Sequence, residues 1–120
     1  MYEWDSTMNV NVRASFQFLS LSVPFLKLTK GNACLLSGSA GEKPWAGSVI
    51  FSTSMSMINM LVKCTALETS YFGVRVNAVA PGVTQTPART KEKSFKLSEA
   101  KNRTYLQEAS SDVPLMHELN

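Results

Sequence analysis

The sequence predicts an α/β fold: a partial doubly wound parallel sheet in the order helix, strand, helix, strand, followed by a C-terminal helical tail. Two mostly apolar runs, residues 33–36 and 74–80, have the length and composition of strands. A long helical apolar period precedes each run. Connections this short are typical of a right-handed crossover unit, so the two strands are expected to lie parallel and adjacent.

The first helix is predicted over residues 4–28, because apolar residues recur there at intervals of three and four. This stripe consists of Met8, Val12, Phe16, Leu19, Val23 and Leu26. Pro24 is expected to bend the helix or to end it early, since proline has no backbone N–H. The segment Lys30-Gly31-Asn32 predicts the end of the helix and a turn into the first strand.

The first strand and the second helix contain the two cysteines. Residues 33–36 form a continuous apolar run, which fits a strand buried on both faces. Helical spacing returns over residues 48–72, with Gly73 as the expected C-cap. Cys34 in the strand and Cys64 in the helix are expected to be buried as small apolar residues, and one disulfide is the alternative.

The methionines of the second helix are concentrated in one segment, which contains Met55, Met57 and Met60. Methionine fills irregular gaps in cores and also occurs on adaptable binding surfaces. Core filling is the favoured interpretation of this segment, and a binding surface is the alternative.

Composition and charge indicate an ordinary globular chain. It is 44% apolar and 18% charged, with a net charge of +3. Residues 87–105 hold six Lys and Arg residues against Glu92 and Glu99, and a solvated helix face or a mobile loop is favoured over binding of nucleic acid.

Neither a signal peptide nor a run of about 18 apolar residues is found, which predicts a soluble cytoplasmic protein without a membrane span. No metal site is expected, because His, Cys and acidic residues do not cluster at ligand spacing.

Several segments together resemble the classical short-chain dehydrogenases/reductases, whose fold is Rossmann-like. Asn11, within residues 8–11, resembles the family's helix asparagine, residues 32–37 its central strand and residues 66–68 the end of its catalytic helix. Residues 74–86 are similar to the strand and loop that meet the nicotinamide. The resemblance covers about two thirds of the chain.

The resemblance also assigns catalytic positions. In that family a tyrosine is the general acid and base of hydride transfer, and a lysine four residues later assists it and holds the ribose. Phe51 is at the tyrosine position and Met55 at the lysine position, in a register fixed by Ser54, the family's usual serine. The substrate-orienting serine corresponds to Gly38, with Ser39 as a substitute if the loop shifts by one residue. A phenyl ring and a thioether exchange no proton, so the catalytic set is not intact.

Three of these positions carry structural expectations. Asn11 has lost the partners of the family's proton relay, so it is expected to sit at a helix bend or to face solvent. Phe51 and Met55 are apolar and similar in size to the residues they replace, so they are expected to fill the former pocket as core.

The cofactor positions are matched only in part. Pro81, Gly82 and Thr86 correspond to the loop that meets the nicotinamide and are interpreted as vestigial cofactor-binding positions. The family's glycine-rich phosphate turn does not occur in this sequence. The expectation is therefore no cofactor for this chain, and NAD(P) if the chain is part of a longer protein.

The sequence divides at residue 86 into a partial short-chain dehydrogenase-like domain, 1–86, and a polar tail, 87–120, with a helix expected near 95–108. The first hypothesis is a truncated, catalytically inactive protein that associates with itself, a full-length relative or a larger assembly. The helices at 4–28 and 48–72 would form this contact, because the family dimerises through them. The alternative is an NAD(P)-dependent oxidoreductase for carbonyls or alcohols, represented here only as a fragment. A third possibility is a barely folded product without a role.

Overall fold

A computed structural model describes residues 1–82, of which Met1–Pro81 form one compact unit. Three sequence predictions lie outside the described residues: the domain boundary at residue 86, the polar tail with its helix near 95–108, and the role of Thr86.

The chain begins with one long helical stretch. Helix α1, Tyr2–Thr7, continues through a six-residue π-helical segment, Met8–Arg13, into helix α2, Ala14–Thr29. The helix predicted at 4–28 is therefore confirmed. It does not end early at Pro24, because this residue is exposed and the carbonyl that it leaves unpaired can bind water.

The end of α2 follows the predicted turn. Lys30 adopts the left-handed conformation with φ of 52°. The N–H of Gly31 then donates to the carbonyl of Leu26 at 3.0 Å, a bond that satisfies one of the free carbonyls of the last turn. The chain is thereby turned directly into the first strand.

Two parallel strands form the sheet. Strand β1, Asn32–Leu36, pairs with β2, Arg75–Val79, so that Asn32 lies opposite Arg75. Helix α3, Val49–Thr69, connects them and closes with a short 3₁₀ turn, Ser70–Phe72. The predicted strand–helix–strand unit is confirmed, and its parallel pairing agrees with the crossover rule.

Gly73 ends the helical stretch between the two strands, as predicted. Its φ is 75°, a left-handed conformation that glycine adopts without steric cost. The following residue, Val74, is buried and begins the approach to β2.

The hydrophobic core lies between one face of the sheet and the helices α2 and α3. Its buried members are Leu19, Ala33, Leu35, Met55, Ile58, Val62, Val74 and Val76. Burial alternates along β1, and Leu36 is 72% exposed. The prediction of a strand buried on both faces is therefore wrong, because residues 1–82 supply a helical layer on one face only.

Both cysteines are exposed free thiols. Cys34 lies on the uncovered face of β1, and Cys64 lies on α3 outside the core cluster. The prediction that both are buried is wrong for the same reason in each case: an apolar run or period does not specify which face acquires a second layer.

Within the described part of the chain, residues 49–72 are long and apolar enough to cross a membrane by length and composition. An 18-residue window of this stretch has a mean hydropathy of 1.3, and 22% of it is buried. Ile58 and Val62 of the same helix lie in the core. The core helix of a globular domain passes the same test as a membrane span, so this hydropathy does not distinguish the two.

Candidate functional site

The residues at three catalytic positions of the resembled family meet where β1 ends against the first turns of α3. A Cβ atom added to Gly38 would lie 3.3 Å from Met55 Cγ, 3.4 Å from Met55 Sδ and 3.8 Å from Phe51 Cε1. Gly38, Phe51 and Met55 therefore form one local site, as the resemblance implies. The Met55 side chain occupies the space next to the backbone of Gly38.

Met55 and Phe51 differ in how they fill this site. Met55 is 6% exposed and belongs to the hydrophobic core, whereas Phe51 is 47% exposed. The expectation that both residues fill the pocket as core is right for Met55 and wrong for Phe51. The ring of Phe51 lies one helical turn before Met55, at the margin of the core, where half of its surface contacts solvent.

The side chain of Asn11 has a hydrogen-bond partner on α3. Its Nδ2 donates to Ser54 Oγ at 2.9 Å, and Ser54 Oγ donates to the carbonyl of Phe51 at 2.7 Å. Ser54 is fully buried. The expectation that Asn11 faces solvent is therefore wrong, because its side chain ties the π-helical segment, in which it lies, to α3.

A second hydrogen bond between side chains joins the end of β1 to α3 beside this site. Ser37 Oγ donates to Asn59 Oδ1 at 2.6 Å and lies 3.2 Å from the carbonyl of Met55. The sequence reasoning missed Asn59, which lies four residues after Met55 on the same face of α3. An amide side chain one helical turn after Met55, combined with a serine directly after β1, is the sequence signal that could have indicated this hydrogen bond.

Ser39, the proposed substitute serine, is held by its backbone. Its N–H donates to the carbonyl of Pro81 at 3.0 Å, and its carbonyl accepts bonds from the N–H groups of Glu42 and Lys43. These bonds fix the short 3₁₀ turn Ser39–Gly41. Pro81 therefore contributes a backbone carbonyl that joins the ends of the two strands.

A shallow depression lies beside this site. Ser52 Oγ is buried there without a hydrogen-bond partner. Its lining is formed by Ala40, Gly41, Glu42, Pro44, Ser52, Thr53 and Ser56. It is separate from the substituted catalytic positions, because it is bordered by the 3₁₀ turn and by the outer side of the first turns of α3.

Comparison with known proteins settles the family. Residues 1–97 match the short chain dehydrogenase family, which is most of the chain. The chain belongs to the short-chain dehydrogenase family. The fold, the order of the elements and the meeting of Gly38, Phe51 and Met55 agree with this membership.

Two relatives show how much of a complete protein is covered. The glycine betaine reductase of Emericella nidulans is 36% identical over 87 residues, which are 72% of this chain and 7% of that protein. A human mitochondrial dehydrogenase/reductase, SDR family member 2, is 30% identical over 83 residues, 69% of this chain and 30% of that protein. The chain thus spans less than a third of the length of either relative.

A solved structure shows the same fold. A short-chain dehydrogenase/reductase from Caenorhabditis elegans, crystallised with cofactor, superposes with a TM-score of 0.68 at 23% identity. The match covers 85% of this chain and 37% of that one. The described part of the chain is therefore a portion of a Rossmann-like α/β domain, and it corresponds to an oxidoreductase-like fragment.

Members of this family normally bind NAD(P), but the residues at this site do not fit its ribose. The position that would hold the ribose carries Met55, whose thioether is only a weak acceptor and is buried in the core. The proton-donor position carries Phe51, which has no polar atom in its side chain. Neither side chain can therefore exchange a proton with a substrate.

Proposed function

We propose that this protein has no catalytic activity of its own and acts by association with itself, a full-length relative or a larger assembly. The observation that carries the proposal is the burial of Met55 against Gly38, at the centre of the family's catalytic site. Loss of a proton donor and its assisting cation removes general acid–base catalysis worth about 10²–10⁴-fold.

The surface for this association is an apolar strip on α2. Phe18, Leu21, Phe25 and Leu28 follow one another at intervals of three, four and three residues, which places them on one side of the helix. Each of these side chains is more than half exposed. Contiguous exposed apolar surface of this kind marks interaction sites in soluble proteins.

Helix α3 and the 3₁₀ turn that follows it offer a second strip. Met57, Met60, Leu67 and Tyr71 recur at intervals of three, seven and four, and all four are exposed. The family uses the same two helices for dimerisation, and this adds to the case for contact through α2 and α3. We place the protein in the cytoplasm, where a reducing environment keeps exposed thiols such as Cys34 and Cys64 free.

Sedimentation velocity of the full chain at micromolar concentration tests this proposal, alone and mixed with a full-length short-chain dehydrogenase of the same organism. A dimer or a mixed complex is expected. Leu21→Glu, in the centre of the α2 strip, should weaken it at least about tenfold, since a charge at the core of an interface is strongly unfavourable.

Ser20→Glu is the matched control, because Ser20 is exposed on the same helix and lies outside the strip. It should leave association unchanged. A monodisperse monomer in both samples, or equal effects of the two substitutions, would contradict association through α2.

A second candidate function is an NAD(P)-dependent oxidoreductase for carbonyls or alcohols, of which this chain is one part. Two retained features favour it: the Asn11–Ser54 hydrogen bond and the contact of Ser39 with Pro81, which keeps the strand ends together. Binding of NADH or NADPH by this chain in calorimetry would support it. A glycine-rich phosphate turn encoded in frame before Met1 would support it further, whereas a chain with neither property would refute it.

A further inference from the structure

Strand β1 has one edge at which residues 1–82 place no neighbouring strand. At its other edge, the N–H of Arg75 donates to the carbonyl of Gly31 at 3.2 Å, and the N–H of Ser37 donates to the carbonyl of Val79 at 2.8 Å. Because the backbone groups of a strand alternate between its two edges, every second residue between Gly31 and Ser37 faces away from β2. The residues whose N–H and carbonyl groups face outward are Asn32, Cys34 and Leu36.

This outer edge of β1 lacks the features that protect a sheet edge from further pairing. Proteins block exposed edges with charged side chains, with proline or with a bulge. Residues 32–36 contain neither a charged residue nor a proline, and the unbroken register with β2 leaves no bulge. Strand β2, in contrast, begins with the charged Arg75. The outer edge of β1 is therefore the edge suited to another strand.

Helix α2 projects past this edge. In the helical layer, α2 packs against β1 and α3 packs against β2. Neighbouring helices are about 8–10 Å apart, whereas neighbouring strands are only about 4.8 Å apart. Two strands are therefore narrower than the two helices that cover them, and α2 extends beyond β1 on the side where residues 1–82 place no third strand.

Two exposed phenylalanines lie on the projecting side of α2. The Nζ atom of Lys27 contacts the ring of Phe72 at the end of the α3 stretch, so the Lys27 side of α2 faces α3. At about 100° of rotation per residue, Phe18 and Phe25 lie about 180° and 160° from Lys27. Phe18 is 59% exposed and Phe25 is 70% exposed. Both rings are therefore available to cover a strand placed beside β1.

A second copy of this chain does not fit through the same edge. Symmetric antiparallel pairing of two β1 strands would place both helical layers on one face of a continuous sheet. The two α2 helices would then be about 4.8 Å apart, whereas packed helices need about 8–10 Å. The strand that fits is one that carries no helix of its own on this face.

We propose that the outer edge of β1 and the projecting side of α2 bind an extended segment of a partner protein as a third strand. Outward N–H and carbonyl groups of β1 supply the hydrogen bonds. The segment is uncharged and has an apolar side chain at every second position, because these side chains contact Phe18 and Phe25. A third strand also stabilises a sheet that is marginal with two. This inference rests on the proposed association and names the part of the partner that is bound.

Fluorescence anisotropy of the full chain with a labelled peptide of alternating Val and Thr, with Lys at each end, tests the site. Saturable binding is expected, and a peptide with Val and Thr in two blocks should bind at least about tenfold more weakly. Two N-methylated peptides give the sharpest comparison, each blocking the N–H groups of one edge of the peptide. One should bind at least about tenfold more weakly and the other should bind normally, since only one edge pairs with β1.

Cys34→Pro should weaken peptide binding at least about tenfold, because proline removes an outward N–H without removing a bond to β2. Ala78→Pro is the matched control, as the N–H of Ala78 faces the outer edge of β2 by the same alternation. It should leave binding unchanged, and circular dichroism should show the same helix content in both variants. Equal affinities for the two N-methylated peptides, or equal effects of the two prolines, would overturn the proposal.

The same peptide separates this inference from the proposed function. Association of the chain in sedimentation velocity without any binding of the peptide would overturn the strand site alone. Binding of the peptide by a chain that sediments as a monomer would support the strand site and refute self-association.

Discussion

Asn11 donates a hydrogen bond from Nδ2 to Ser54 Oγ at 2.9 Å, joining two residues that are 43 positions apart. Ser54 is fully buried, and its Oγ donates a hydrogen bond to the carbonyl of Phe51. The polar residue retained beside the substituted catalytic positions therefore connects the π-helical segment to α3. Its present contacts are those of a structural residue.

Replacement of Asn11 by alanine should lower the free energy of unfolding by about 1–2 kcal/mol, because it removes a hydrogen bond to a buried hydroxyl. Urea unfolding followed by circular dichroism measures this difference. Asn9→Ala is the control, since Asn9 is exposed in the same π-helical segment, and it should change stability by less than about 0.5 kcal/mol. Equal effects of the two substitutions would mean that the Asn11–Ser54 bond adds no stability.

Gly41 allows the 3₁₀ turn after β1 to approach α3 closely. A Cβ atom at this position would lie 2.8 Å from the backbone carbon of Met55 and 2.9 Å from the N atom of Ser56. Gly41→Ala should therefore lower the free energy of unfolding by about 1–3 kcal/mol, because the backbone must move apart. Thermal unfolding followed by circular dichroism measures the loss.

Gly38→Ala is the comparison for Gly41, because the Cβ atom that it adds meets the flexible side chain of Met55 at 3.3 Å. The gain from a less flexible unfolded chain is about 0.4–1 kcal/mol and should nearly cancel the contact. A larger loss at Gly38 than at Gly41 would show that Met55 cannot move.

The elements were predictable because their signals are local. Apolar periodicity specified the helices, and Gly73 marked the end of the second one because its φ of 75° suits glycine. The exposure of Cys34 was not predictable in this way. An apolar strand indicates two covered faces in a complete sheet, and it does not state whether residues 1–82 contain both layers.

The site was predictable in position and less so in its contacts. Register within the family placed Gly38, Phe51 and Met55 together, and the structure brings them together. Two hydrogen bonds of the site were missed because their partners are far apart in the sequence. Asn11 and Ser54 are 43 residues apart, and Ser37 and Asn59 are 22 residues apart. Pairing over such distances depends on how helices pack, which no short sequence pattern records.

Lys27 joins α2 to the end of the α3 stretch through an aromatic ring. Its Nζ lies 3.9 Å from the centroid of the Phe72 ring, which also makes an edge contact with Tyr71. Lys27→Met should lower the free energy of unfolding by about 0.5–1 kcal/mol, because it removes a cation–π contact at an exposed site. Lys27→Arg should retain most of that stability in the same urea titration. A double-mutant cycle with Phe72→Leu that gave no coupling would contradict the contact.

Both thiols should be reactive in the folded chain, because Cys34 and Cys64 are exposed and free. Reaction with a disulfide reagent under native conditions should consume two equivalents per chain without prior unfolding, since accessibility limits thiol exchange. Cys34→Ser and Cys64→Ser should each remove one equivalent. If a thiol reacted only in denaturant, its side chain would be buried and the assignment of an uncovered sheet face or an exposed α3 strip would be wrong.

Met55 offers the sharpest test of whether the family's catalytic site is closed. Its side chain is 6% exposed and packs against Gly38. Met55→Lys, which restores the family's residue type, should lower the free energy of unfolding by several kcal/mol, because an unpaired charge would enter the core. Met55→Leu should cost less than about 1.5 kcal/mol, since it nearly conserves volume.

Ser20 of α2 is the matched position for the charge alone, because it is exposed and lies outside the association strips. Ser20→Lys should change the free energy of unfolding by less than about 0.5 kcal/mol in the same urea titration. If Met55→Lys were tolerated as well as Ser20→Lys, the site would have room for a cation. The hypothesis of a packed, inactive site would then give way to that of an oxidoreductase fragment.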